Sequence, residues 1–485
     1  MPQMKTYPFL IFLLLAACTP VATEQSALPI DTSIATETRA PFVTVAATNP
    51  DGFSDCPLPA HEGEVGKFRL VYIIQGNLWL LDQSREPVQM SASGDVEQVM
   101  LSPDGSQIVL SRRRNADTVE LWVVDSLGWH NLSGEQGIPE NIEFISFSDD
   151  GQVVAFYRLV NPGRELWVAD IKSASVRRLV GLEDLRPQEG SASTLSAGFD
   201  QVTWIHGTHL LAAVPYIFTI PGGGDSGPPP EPVLWVDADT GEQKASFPID
   251  PGSQITYSPN GKMLVIADPE RVRLIQADNP GESQTIFSYA PMCILDCYTP
   301  QPVWRADSSS FLLEIPSEGM NPDDFLDGLE EPFTIWEVSA DGNMMTRLGE
   351  IFRIPGPLFF SPDLERVAYY RRENTLDLHI ANVDGSEDIL YDSNQGGEFY
   401  GWAPDSRHFV YQDTQLMMGD ICGMTHLLTD VADAEFLGWL DATRFLMHVS
   451  ASGGWDLYLG SAGGESTRLL GFGASVIYDY VVIPE

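Results

Sequence analysis

The sequence predicts an all-β chain: a single closed β-propeller of four-stranded blades, eight or nine of them, behind a signal peptide and a disordered tether. Three observations predict it. A turn-and-strand unit returns along the chain, with 46 residues from Ser102 to Ser148 and 42 from Ser361 to Ala403, the length of a four-stranded blade. No segment carries a 3.6-residue apolar period, so helices should be nearly absent. Incomplete half-units at the two ends of the repeat array would make one blade together.

The first residues read as an export signal. Lys5 is the only charge before Cys18, and Tyr7 to Ala17 is an apolar run. That run is too short for the about 20 residues of a spanning helix and suits the core of a signal peptide. It ends in Leu15-Ala16-Ala17-Cys18, which resembles the bacterial lipobox. The resemblance implies cleavage after residue 17 and diacylation of Cys18, with acyl chains replacing the lost segment as anchor. The alternative is an ordinary secretory signal with a chance cysteine. Residues 18–62 form the lipidated cysteine and a linker rich in Thr, Ala and Pro. Such a tract buries too little to fold and holds the body about 30 Å off the membrane as a random coil. Thr19 stands where an Asp would retain a lipoprotein at an inner membrane. The predicted location is therefore outside the cytoplasm, tethered to the outer face of the cell membrane or to an outer membrane.

Composition narrows the partners. The chain has 68 acidic and 27 basic residues, a net charge of −41. Nonspecific nucleic-acid binding needs Lys and Arg to displace counterions, so no nucleic-acid partner is expected. A well-dispersed monomer is. Once Cys18 is lipidated, four cysteines remain in an oxidising compartment, which favours disulfides. Cys293 and Cys297 close a tiny loop as a disulfide, or hold a metal, though no His or third Cys lies nearby in sequence. A Cys56–Cys422 bridge then follows by elimination.

Residues 63–485 carry the repeat. Leu101-Ser102-Pro103-Asp104-Gly105 precedes Ile108-Val109-Leu110, and Glu120-Leu121-Trp122-Val123-Val124-Asp125 follows after a polar break. The grammar returns at Ser148-Asp149-Asp150-Gly151 with Glu165-Leu166-Trp167-Val168-Ala169-Asp170, at Ser258-Pro259-Asn260-Gly261, at Ser361-Pro362-Asp363 and at Ala403-Pro404-Asp405-Ser406. Looser copies begin at Trp204, Trp304 and Trp439. Proline presets φ, Asp accepts the turn's hydrogen bonds, and Gly tolerates positive φ. The β-branched and aromatic runs between turns suit strands buried between sheets. Leu70 to Ile74 and Asn77 to Asp82 lack a first strand, and Val476 to Val482 lacks partners. Joined, they complete one blade and remove the last open edge.

These motifs resemble the WD40-like repeats of the TolB family, over nearly everything from residue 65 to the end. The resemblance implies a propeller and says little of function, because such blades serve unrelated proteins. TolB adds an α/β domain to its propeller. Nothing in this sequence reads as one, so the TolB role in the cell envelope is not carried over.

In such a blade the first-to-second and third-to-fourth turns share one face, and all other connections share the opposite face. The long insertions are 181–201 and 288–300 between blades, and 216–232 and 316–332 between second and third strands. All four fall on the second face, the predicted binding surface together with the mouth of the channel; alternatively, insertions simply collect where they do no harm. Arg112, Arg113, Arg114, Arg158, Arg164, Arg271, Arg273, Arg371 and Arg372 belong to the same connections. Arginine forks onto carboxylates and phosphates, so these residues would make an anion-recognition patch, or each would pair with a neighbouring acid.

Two motifs mislead. Gly224-Asp225-Ser226-Gly227 imitates a protease nucleophile, and Gly222, Gly224 and Gly227 a dinucleotide loop. Both lie in the tract 221–232, where Pro228-Pro229-Pro230 forbids the helix a nucleotide loop requires. Asn321 to Glu331 is rich in the oxygens calcium takes but lacks the alternating spacing of an EF-loop; otherwise no metal or cofactor is predicted. The expected function is a membrane-tethered binding protein for a protein or an anionic envelope ligand, touching the membrane through its lipid only. The alternatives are a propeller enzyme, a hydrolase or lyase on glycans or peptides, and a scaffold without a ligand.

Overall fold

The computed structural model describes residues 68–483, apart from short interruptions of which 186–193 and 220–231 are the longest. Cys18, Cys56 and the tether lie outside the described residues, as do Cys293 and Cys297. Cys422 is disulfide-bonded. Among the described residues Asp323 alone is helical; everything else is strand, turn or coil.

The recurring turn explains the recurring motif. Ser102, Ser148, Ser258 and Ser361 are fully buried. Each hydroxyl accepts from the backbone N–H five residues on, as from Gln107 to Ser102 at 2.9 Å and from Val153 to Ser148 at 3.0 Å. Each also donates to the Asp or Asn two residues on, 2.7 Å in Ser102–Asp104 and 2.9 Å in Ser258–Asn260. That carboxylate caps the next backbone N–H, Ser106 to Asp104 at 2.9 Å. Partial burial opposes the charge, but the Ser106 and Ser102 hydrogen bonds outweigh it and hold Asp104 below its ordinary range. The fourth motif position is left-handed, with φ of 70° at Gly105 and 68° at Gly151 and Gly261. Where glycine is missing, Ser308, Leu364 and Ser406 still take φ of 63°, 61° and 59°. Ser308 and Ser406 have a second task there: their hydroxyls accept from Asn260 and Asp363 N–H in the preceding sheet's turn, each at 3.0 Å.

Each turn launches an antiparallel sheet of four strands in chain order. The sheets span 96–139, 142–180, 194–248, 254–288, 303–353, 359–392, 398–427 and 434–472. The 96–139 sheet also takes in Ile138–Pro139 against its third strand. A single parallel bridge, Gly163 to Ala197, joins the 142–180 and 194–248 sheets. A Cβ on Gly163 would sit 1.8 Å from the Ala197 carbonyl oxygen, so glycine is required there. This blade-after-blade architecture is that of the β-propeller.

Strand position sets burial. Second strands are covered on both faces by neighbouring sheets, so residues 153–157 and 310–315 are buried one after another. This is why they read as unbroken apolar runs rather than alternating ones. Third strands alternate, with Val119, Leu121 and Val123 buried. Fourth strands lie at the sheet edges, and several are polar and exposed, as in Ser283–Ser288, which discourages pairing with foreign strands.

The core is divided into layers between successive sheets. Val109, Leu121 and Val154 share one cluster, Val168, Phe199 and Leu211 the next, and Leu312, Ile335 and Val367 another. The chain ends complete the pattern. Ile477–Val482 pairs with Phe68–Ile74, Val482 opposite Phe68 and Ile477 opposite Ile73. The sheet they share with Asn77–Leu81 and Val88–Gln89 packs Val71 and Leu78 against Leu110 on one side, and Phe68 and Leu70 against Leu446 and Leu457 on the other.

Candidate functional site

Antiparallel pairing gives every sheet two unlike ends. One holds the Ser-Pro-Asp-Gly turns. The other holds the hairpins between second and third strands and the connections from sheet to sheet; of the insertions read from the sequence, 194–201 and 216–219 are strand instead, and 186–193, 220–231 and 293–297 lie outside the described residues.

The arginines singled out in the sequence lie at that second end, each beside an acid. Arg112 reaches Asp95 at 2.9 Å and stacks 5.4 Å from the Trp122 ring. Arg113 pairs with Glu97, and Arg114 stands 3.5 Å from Glu120. One sheet on, Arg158 reaches Glu165 at 3.0 Å and lies 5.9 Å from the Trp167 ring, while Arg164 lies 5.4 Å from the Tyr157 ring and 4.0 Å from Glu143. Arg371 bridges Glu330 at 3.1 Å and Asp388 at 3.3 Å. Arg372 is exposed, and its backbone N–H donates to Glu330 at 2.9 Å. Arg112, Arg113 and Arg114 share one hairpin and Arg158 and Arg164 the next; Arg371 and Arg372 belong to the 359–392 sheet, well along the chain.

Two hollows open at this end. One, of about 470 Å³, is lined by Gly94, Asp95, Val96, Glu97, Arg113, Arg114, Asn115 and Ala116. It is lined by Arg113 with its partner Glu97, by Arg114, and by Asp95, the partner of Arg112, so both signs of charge face it. The other, of about 210 Å³, lies where connections enter the 303–353 and 359–392 sheets. Tyr298, Thr299 and Gln301 come from one connection, Gly356, Pro357 and Leu358 from the next, and Glu314 and Phe360 from strands.

Behind the second hollow is a buried ion pair. Arg353 is 1% exposed and Glu314 5%. Arg353 Nε donates to Glu314 Oε2 at 2.8 Å, Nη2 to Oε1, and Nη1 to the carbonyls of Ile354 and Gly356 at 2.9 Å. Its guanidinium lies 4.3 Å from the Phe333 ring centroid. Burial disfavours the Arg353 charge, and the Glu314 carboxylate more than restores it. Burial, with Glu314 adding to it, pushes the Tyr298 hydroxyl well above its ordinary range. A second such knot lies in the 254–288 sheet. Asp268, fully buried, accepts from Arg273 Nε at 2.6 Å, Ser253 Oγ at 2.7 Å and Arg271 Nε at 3.2 Å. Burial raises its pKa, but the Arg273 and Ser253 bonds prevail and hold it low.

Sequence reasoning missed Glu314, Arg353 and Asp268, although it named the 288–300 connection that carries Tyr298. The signal was present: Glu314 interrupts Phe311-Leu312-Leu313-Glu314-Ile315 and Asp268 ends Leu264-Val265-Ile266-Ala267. A charge in a strand covered on both faces must have a partner. In the suggested calcium loop, Glu330 is spent on Arg371, and Glu331 accepts from the Asn321 N–H at 2.9 Å. Among the described residues no group of three His, Cys, Asp or Glu side chains is placed to hold a metal.

No family model and no curated protein matches the sequence. Among solved structures the chain is similar to a eukaryotic initiation factor, at 13% identity over 85% of this chain and 98% of that one, with a TM-score of 0.53. TolB from Acinetobacter baumannii matches at 15% identity over 69% of this chain and 65% of that one, TM-score 0.24. The β-propeller domain of Cps50 (Swd1) from Myceliophteria thermophila matches at 15% identity over 69% and 97%, TM-score 0.31. At such identities the likeness is one of fold alone.

Proposed function

We propose that this chain is an exported, lipid-tethered binding protein, a ring of nine blades whose connection-bearing end holds the partner. Eight hydrogen-bonded sheets, one of them two four-stranded units joined at Gly163, make nine blades. Core layers between every successive pair, including the layer between the first and last sheets, support closure. The observation that carries the binding reading is the coincidence of both hollows with the sheet-to-sheet connections and second-to-third hairpins at one end, while the opposite end repeats one tight turn. A rigid frame presenting variable loops is how scaffolds make recognition surfaces. The anchor is Cys18, with the body in the periplasm or extracellular space, and the partner is a protein or an envelope ligand.

The test is capture from native membranes with the full lipidated chain, beside variants in which 216–232 and 316–332 are shortened to tight hairpins. A partner retained by the wild type and lost with the shortened hairpins, at unchanged melting temperature, supports the reading. A partner held equally by both, or lost instead when the Ser-Pro-Asp-Gly turns are altered, refutes it. Radiolabelled palmitate should enter the wild type and not Cys18→Ser.

A further inference from the structure

We infer that the hollow between the 303–353 and 359–392 sheets is a subsite for a neutral polyhydroxyl ring, a single sugar unit of a larger glycan; this rests on the binding reading above and gives it a chemical class. The argument begins with charge. Glu314 is the only ionisable carboxylate or base among the lining residues. Its two carboxylate oxygens are both engaged by Arg353, which is itself sealed off from solvent and also donates to the backbone carbonyls of Ile354 and Gly356. The pocket is therefore polar but electrically balanced. An ammonium ligand would compete with a guanidinium already in place, and an anion would find no accessible cation and would face a carboxylate. Neutral hydrogen-bonding ligands are what this chemistry leaves.

Shape and lining then narrow the class. Pro357, Leu358 and Phe360 supply apolar surface, while Thr299, Gln301 and Glu314 supply a hydroxyl, an amide and carboxylate lone pairs. A pyranose is amphipathic in the same way, with C–H faces that suit an aromatic or proline wall and an equatorial rim of hydroxyls that both donate and accept. The volume of about 210 Å³ falls below the about 300 Å³ at which drug-sized sites begin, so the pocket holds one ring, and any longer glycan continues outside it. Gln301 is exposed, so part of the site faces the side from which a polymer would approach. The balanced charge also makes binding indifferent to salt, unlike recognition by an arginine patch.

The test uses the full chain and saturation-transfer NMR with glucose, galactose, mannose and N-acetylglucosamine, beside putrescine, acetate and inorganic phosphate. The expected result is binding of at least one sugar with a dissociation constant of about 1 mM, as befits so small a ligand, and unchanged between low and high salt. Gln301→Ala should weaken it about tenfold and Thr299→Trp, which fills the hollow, should abolish it, both at wild-type melting temperature. No transfer to any sugar, transfer surviving Thr299→Trp, or transfer to putrescine, acetate or phosphate instead would overturn the inference. Membrane capture separates the two levels: a partner retained by wild type in the absence of sugar binding sinks the sugar subsite and leaves the binding face standing, whereas loss of both removes the face as well.

Discussion

The two ends of the sheets solve the same problem, closing strands into a stack, with different chemistry. At the turn end the device is small and repeated: a buried serine, an Asp or Asn two residues on, a left-handed fourth position. At the connection end the knots differ from sheet to sheet: Arg112 on Asp95, Arg158 and Arg178 on Glu165, Arg273 on Asp268, Arg353 on Glu314, Arg371 on Glu330 and Asp388. The difference teaches where change is tolerated. An end that must fit its neighbours in one fixed geometry converges on one sequence, and an end free of that demand diversifies into insertions, hollows and charge pairs.

The sharpest way to break the connection end is Arg353→Ala. It strands the Glu314 carboxylate in the core and should cost about 3–5 kcal/mol in urea unfolding, whereas Arg353→Met combined with Glu314→Leu should stay near wild type. If the single and double variants fall equally, the pair is not what holds that sheet. At the turn end, Ser258→Ala removes the acceptor for the Met263 N–H, 2.9 Å away, and should cost about 1–2 kcal/mol; the same change at Ser102 or Ser361 should cost the same. Unequal losses would show that the turns are not interchangeable.

A subtler contrast concerns pH. His209 joins the turn of one sheet to the next, 2.9 Å from Asp239 and 3.1 Å from Asp150. Its partial burial opposes protonation, but the bonds to Asp239 and Asp150 prevail and raise its pKa. Its stabilisation is therefore full below the ordinary histidine value near ~6.5 and fades as pH rises through the raised value. Solvent screening limits it to under about 1 kcal/mol. Melting from pH 5.5 to 8.5 should fall more for wild type than for His209→Gln; parallel curves would remove the histidine from the account. Smallest of all, Arg113→Ala, an exposed pair with Glu97, should change stability by less than about 0.5 kcal/mol.

The turn end was legible in the sequence because its physics is local: Ser, Pro, Asp and Gly act within five residues, so the motif announces itself. The order of strands and the pairing of the two chain ends were legible for the same reason, through repetition and a missing partner at each end. The connection end was only half legible. Arginines stood out by type, but the acids that engage them, Asp95 for Arg112 and Glu330 for Arg371, lie 17 and 41 residues away, and composition alone chose neither partnership. Glu314 and Arg353 are 39 residues apart and meet because a second and a fourth strand bring them to one place.

The pairing of Phe68–Ile74 with Ile477–Val482 has a consequence for biogenesis. Phe68–Ile74 finds this partner only once residues 477–482 have been made, so a product that stops short of them has an unpaired strand and an exposed apolar layer. Synthesis of residues 477–482 and locking of this sheet are thereby one event. A product cut short of these residues is marked for proteolysis by its own frayed margin.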